Sequence, residues 1–301
     1  MISSKIKEVS AGVILEIPLP EGLTTFKMEE TPVFETELTN KYPGFTSFTG
    51  KSIDVLGYTL KMSVSPFGIN AMIMHDQLGT IFIDPYTQHN QTEYIVYNKK
   101  DFRKKTGNFT CGVSSDHLGL GIEREDFVDI ETATLRAGDC VLRSYRLALA
   151  CTGEYASYHG GTKEKVLAAY NNTMTRVNGV YEKEVAITMK LIGNTDQLIF
   201  LNAQSDPYTN DEGSIMLDEN QTTVNNIIGI SNYDIGHVFS TAGGGIAQLR
   251  SPCTASKARG VTGQANPVGD PFDIDYVAHE MGHQFGANHT QNNSCQRNST
   301  T

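Results

Sequence analysis

The sequence predicts an α/β domain, a mixed twisted sheet with helices packed on it, preceded by a β-rich domain. Three observations lead there. From Val9 to about Asn98, short β-type runs are broken by Gly, Pro, Asn or Asp every 8 to 12 residues. Over 163–184 the apolar residues Val166, Leu167, Tyr170, Met174, Val177 and Tyr181 recur at spacings of 3 and 4, the mark of a long amphipathic helix. Beyond that helix, strand-like and helix-like segments alternate, the order from which mixed sheets with covering helices are built.

The N-terminal runs include 13–17, 58–64, 71–74, 80–83 and 94–97, with no helical period among them, so this part reads as antiparallel β structure. It has no concentration of His, Cys, Asp or Glu at ligand spacing and by itself suggests a binding or packing module. A polar stretch, 98–107, leads to Cys111, whose plain reading is a small buried side chain or half of a disulfide. Residues 114–139 are acidic and polar (Glu123, Glu125, Asp126, Asp129, Glu131, Asp139) and read as a connector. The boundary is placed there, giving domains 1–139 and 140–301.

In the second domain 142–150 alternates like a first strand. The long helix follows, then strands at 185–192 and 197–201, a helix at 222–230 and an extended piece at 234–239. Gly243-Gly244-Gly245 opens a short apolar strand through Ile246, Ala247, Gln248 and Leu249. As a phosphate loop it is weak, since no Lys-Ser/Thr pair and no helix follow. His237 and His159 stand at no ligand spacing and read as structural histidines.

The chemistry concentrates in His279-Glu280-Met281-Gly282-His283-Gln284-Phe285-Gly286-Ala287-Asn288-His289. Histidines four apart on a helix lie about 40° apart around the axis and roughly 6 Å along it, so His279 and His283 can reach one ion from one face. Glu280 projects about 100° away, outside the ligand set but near a water on the metal. An αL turn at Gly286 would end the helix and return His289 as third ligand. Three neutral imidazoles suit zinc (Zn2+) and leave a fourth tetrahedral position for water, with Glu280 as the base. Asp273 and Asp275 in the first turn suit the positive end of the helix dipole.

These residues resemble the metzincin zinc-endopeptidase signature His-Glu-x-x-His-x-x-Gly-x-x-His, and the flanking sequence is most similar to the reprolysin (adamalysin-like) family, in the form found in bacterial secreted proteases with a β-rich propeptide. The resemblance covers about residues 140 to 295 and implies the upper catalytic subdomain of a zinc endopeptidase. It makes His279, His283 and His289 the zinc ligands, Glu280 the general base, and a peptide or protein the substrate. It makes Gly245, Ile246, Ala247 and Gln248 the sheet edge to which an extended peptide adds by main-chain hydrogen bonds. It offers Cys111 a further role, the latency cysteine of a proenzyme, whose thiolate takes the fourth zinc position. It implies a secreted or cell-surface protein, although Met1-Ile2-Ser3-Ser4-Lys5 does not lead into a signal-peptide core. It also implies a methionine-containing turn downstream of His289; the chain ends twelve residues after that histidine, so a fragment cut before its C-terminal subdomain is expected. Cysteine pairing among Cys140, Cys151, Cys253 and Cys295 stays open between three connectivities.

Composition narrows the partners. Lys and Arg total 24 against 34 Asp and Glu, a net charge of −10 without a basic cluster, which argues against nucleic acid or an anionic membrane. No run approaches the roughly 18 apolar residues of a membrane span. The rival expectation is a non-catalytic zinc-containing binding protein with a stabilising metal site. A vacant fourth position with Glu280 facing an open cleft would favour the enzyme; a filled one would favour the rival.

Overall fold

Two-residue alternation in the N-terminal half is realised as a curled antiparallel meander, β1 (Lys7–Val9), β2 (Gly12–Leu19), β3 (Gly22–Glu30), α1 (Thr36–Lys41), β4 (Thr46–Ser52), β5 (Thr59–Ser65), β6 (Gly68–His75), β7 (Gly79–Pro85) and β8 (Tyr94–Asn98). The computed structural model describes residues 7–9, 12–88, 90–102, 111–112, 139–242 and 244–289; the connector expected at 114–139 lies almost wholly outside these. Each strand pairs with the next in sequence. One set of side chains, among them Phe26, Leu60, Ile73 and Ile81, forms the sheet's own core. The alternate set, Met72, Met74 and Phe82, packs outward against Val180 of a long helix. Helix α1 was invisible in the pattern because six residues are too few to show a period.

The second half contains β9 (Arg143–Cys151), α2 (Gly153–Tyr158), α3 (Lys163–Val185), β10 (Ile187–Leu191), α4 (Gly213–Ile227), β11 (Ile235–Ser240), β12 (Gly244–Ala247), β13 (Gly260–Gly263), α5 (Gly269–Phe272), a π-helical turn (Asp273–Ala278) and α6 (His279–Gln284). The sheet order is β10-β9-β11-β13-β12, parallel except for β12 against β13. Among the described residues no helix is long and apolar enough to cross a membrane.

Three expectations are corrected. The strand expected at 197–201 is a 3-10 turn, Thr195–Leu198, with a single bridge from Ile199 to Cys151. The Thr195 hydroxyl accepts from Leu149 N and donates to Leu149 O, and this pulls the apolar run out of the ladder. The helix expected at 222–230 begins nine residues earlier, at Gly213. Its buried face includes Asn220, which donates to the Ala258 carbonyl, so the apolar period is interrupted by a satisfied polar group. The acids opening the zinc helix do not simply face its dipole: Asp273 is buried and ion-paired with Arg176.

Helix α3 lies between the two sheets, which is why Asn171, Thr175, Arg176 and Asn178 are buried along with its apolar stripe. Its Thr162 cap accepts from Lys165 N. Towards the N-terminal sheet the helix presents polar groups: Asn171 Nδ2 donates to the Thr46 and Val64 carbonyls, Arg176 pairs with Asp84, and Glu182 with Lys61.

The N-terminal half also reaches both free edges of the second sheet. Phe34 forms a parallel bridge to Leu191 on β10, and Cys111 forms one to Gly245 on β12. Val33, Phe34, Leu38 and Phe45 are buried in the same cluster as Leu147, Leu149 and Leu191. Each such side chain contributes about 1.5–3 kcal/mol by its removal from water.

Candidate metal centre and catalytic cleft

Local helix geometry aims His279 and His283 at one point, with their Nε2 atoms 3.0 Å apart. The helix then ends at Gly286, whose φ of 100° only glycine adopts cheaply, and Ala287 N bonds back to Gly282 O at 2.9 Å. That reversal returns His289, with Nε2 3.3 Å from Nε2 of His279. His283 Nδ1–H donates to the Ala287 carbonyl at 2.7 Å, which fixes the tautomer and leaves the Nε2 lone pair facing inward. Burial pushes the His279 imidazole down to about 4, with His283 and His289 adding to the effect, and burial likewise lowers His283. Both are neutral at neutral pH, the form that binds a metal.

The fourth member is Cys111, whose Sγ lies 3.5 Å from His283 Nε2; the four ligand atoms all fall within 4.8 Å of one another. A tetrahedral zinc with bonds of about 2.05 Å to nitrogen and about 2.3 Å to sulfur sets nitrogens about 3.3 Å apart and sulfur about 3.6 Å from each nitrogen. The separations of 3.0, 3.3 and 3.5 Å lie near those edges, so the donor set suits zinc.

Cys111 arrives by adding its backbone to the sheet. Gly112 N donates to Gly245 O at 2.8 Å, beside the Cys111–Gly245 bridge. A side chain on Gly112 would meet Ile246 at 3.2 Å, tight enough to disturb the pairing. Strand β12 lies at the edge of the sheet and carries Gly245, Ile246 and Ala247; Gln248 follows it and donates inward from its N–H to Arg259 O.

Glu280 differs from expectation. It is fully buried instead of facing an open groove, because β12 lies directly on it: a Cβ at Gly245 would stand 2.4 Å from Glu280 Cγ. Neither carboxylate oxygen has a hydrogen bond of normal geometry. Burial pushes the carboxyl up to about 8, with the Cys111 thiol opposing. A buried acid beside a cluster of imidazoles is the environment that a dication relieves.

Residues 167–290 match the family model of the reprolysin-like metallo-peptidases, family M12B. That stretch is similar to the M12B reprolysin-like peptidases. No curated protein matches the chain.

The reprolysin-like region supports its histidines with a buried polar network that motif reading missed. Gln284, adjacent to His283, is fully buried and its Nε2 donates to Gly236 O at 2.9 Å. Its Oε1 accepts from His237 Nδ1 at 2.8 Å, which leaves His237 Nε2 to accept from the Thr262 hydroxyl at 2.8 Å. His237 is therefore a structural histidine, and His159 is buried against the Tyr155 ring. Tyr181 of α3 donates to the Ala278 carbonyl at 2.8 Å, steadying the π-helical turn where it meets His279. Among the described residues no two cysteines form a disulfide; Cys295 lies outside them.

Proposed function

We propose that the chain is the latent form of a zinc-dependent endopeptidase, secreted or displayed at the cell surface, with residues 1–139 acting as a propeptide and 140–301 as the catalytic part. The observation that carries the reading is the convergence of Cys111 Sγ with three imidazole nitrogens while its backbone occupies the sheet edge. One segment thus fills both the metal corner and the strand to which an extended peptide would add.

His279, His283 and His289 would hold the zinc. When bound, it would supply a Lewis acid that polarises a peptide carbonyl and makes a water molecule more acidic. The remaining work falls to the chain. Gly245, Ile246 and Ala247 of β12 align an extended substrate through main-chain hydrogen bonds, with Gln248 at the strand's end. Glu280 accepts the proton of the attacking water and delivers it to the leaving amine. Its burial in an apolar setting keeps its proton affinity high enough for both transfers. His283 is held in the competent tautomer by the Ala287 carbonyl.

A second reading has its own support. A set of one cysteine and three histidines is closed in the manner of structural zinc sites, and Glu280 is covered. In that reading the chain is a non-catalytic zinc-containing binding protein. The two separate in one experiment, replacement of Cys111 by Ala in the intact protein, followed by zinc analysis and hydrolysis of a quenched-fluorescent peptide library. Latency predicts that hydrolysis appears while zinc is retained. Retained zinc without hydrolysis favours the structural site.

A further inference from the structure

The two attachments of the N-terminal half to the second sheet are unlike each other. At β12 the contact among the described residues is an isolated bridge, with Gly112 N donating to Gly245 O. At β10 an isolated bridge is backed by a core. Leu191 N donates to Val33 O at 2.8 Å and Glu35 N donates to Leu191 O at 2.9 Å, one main-chain bond on each side of Phe34. The Glu35 carboxylate accepts from Gly193 N at 2.9 Å, and Gly193 has no room for a side chain because Glu37 lies 2.6 Å from where its Cβ would be. Tyr42 OH and Lys41 Nζ both reach Asp196 at 3.2 Å.

Behind this bridge Val33, Phe34, Leu38 and Phe45 enter the principal core of the second half, with Leu38 fully buried and Phe34 stacked on Phe45 at 5.8 Å. The apolar plug that faces α3 from the strands of the N-terminal sheet is smaller, Met72, Met74 and Phe82 against Val180 and Ile274. Around it the groups turned towards the meander include amides and ion pairs, which water can satisfy. Stripping the sheet from α3 would expose that small cluster and wet the polar groups. Stripping 33–45 would open the β10 edge and hollow the apolar core beside Leu147, Leu149 and Leu191.

We infer that the segment 32–45 is an integral part of the catalytic core, so that the N-terminal half stays bound as a non-covalent subunit after the chain is cut between 112 and 139. This rests on reading the chain as a latent protease and changes how latency ends. Activity follows from loss of the Cys111 contact alone, and the N-terminal half is a retained partner of the protease, not a discarded one.

The test inserts a site for a sequence-specific protease between Leu120 and Gly121 in the full chain, cuts it to completion, and runs native size-exclusion chromatography. Both fragments co-elute at the volume of the uncut chain if the inference holds; two separate peaks overturn it. In the cut protein, Phe34→Ala with Leu38→Ala speeds fragment exchange at least tenfold, whereas Asn171→Ala in the polar half leaves the fragments together. The reverse pattern also overturns it. Co-elution needs no peptidase activity, so a cut Cys111→Ala protein that stays together but hydrolyses nothing counts against the protease reading and supports this one.

Discussion

The sulfur of Cys111 lies 3.5 Å from Nε2 of His283, although 172 residues separate the two in the chain. A neutral thiol gains little from an imidazole edge, whereas a thiolate on a shared zinc gains a coordinate bond. Cys111→Ala is therefore expected to leave one zinc per chain on the three histidines and to raise peptidase activity from background. In the cobalt-substituted protein the thiolate-to-metal charge-transfer band should disappear with the same substitution. A band that persists in the variant would exclude Cys111 as the ligand.

On the proposed reading, Glu280 and the histidines divide the chemistry differently. In the Cys111→Ala background, Glu280→Gln should lower turnover by about 10²–10⁴ with zinc retained, because only a proton acceptor is lost. His283→Ala should lose the metal itself. Chelation of the parent protein should lower its melting temperature, since removing the cation leaves imidazole lone pairs facing one another at 3.0 Å. Zinc analysis alongside kinetics separates the two classes of variant.

How much of this was legible in the sequence follows from how local each feature is. The histidine trio and Glu280 lie within eleven residues, so helix periodicity and one glycine turn were enough to place them. The antiparallel meander was legible for the same reason, since each strand pairs with its neighbour in the chain. The burial of Glu280 was not, because it depends on β12 crossing over α6, a matter of sheet order. Arg176 read as one more position in an amphipathic helix; its partner Asp84 stands 92 residues earlier and no pattern joins them. The run at 197–201 misled because its apolar residues fit a strand while one hydroxyl, on Thr195, decided the backbone.

Gly245→Ala tests the contact between the sheet edge and Glu280, the proposed base. The added methyl would stand 2.4 Å from Glu280 Cγ, so either the strand or the acid must move. A shift of about 1 Å in a catalytic group costs on the order of 10²-fold in rate. The expected result, in the Cys111→Ala background, is a loss of that size in kcat with zinc content unchanged. Unaltered kcat would mean that the strand yields and Glu280 does not.

His237 predicts a pH dependence of stability. Burial pushes its imidazole down to about 4 from an ordinary 6.5, with the Gln284 bond opposing. The unfolded chain therefore takes up the proton first. The stabilisation is complete above pH about 6.5 and is lost as pH falls towards 4, a gap of about 2.5 pH units or roughly 3 kcal/mol. Unfolding by urea at pH 7 and pH 4.5 should show a smaller acid loss in His237→Gln than in the parent, although the variant is less stable at pH 7. Equal acid losses in the two proteins would rule out this histidine as the source.

Arg176 joins both halves of the molecule to the start of the zinc helix. Its guanidinium donates to Asp273 at 3.0 Å, with both side chains 1% exposed, pairs with Asp84 of β7, and lies 4.9 Å over the Phe82 ring. A buried carboxylate, Asp273, and a partly buried one, Asp84, thus share one cation. Arg176→Met keeps the apolar stem but strands both acids, and should destabilise the protein by about 3–5 kcal/mol. Arg176→Lys should fall between, because an ammonium cannot serve two carboxylates in the fixed geometry of a planar fork. Adding Asp273→Asn to Arg176→Met should recover part of the loss, since one stranded charge is then removed. Urea midpoints for Arg176→Met, Asp273→Asn and the double variant measure the coupling, and a coupling near zero would show that Arg176 and Asp273 are neighbours without acting as a unit.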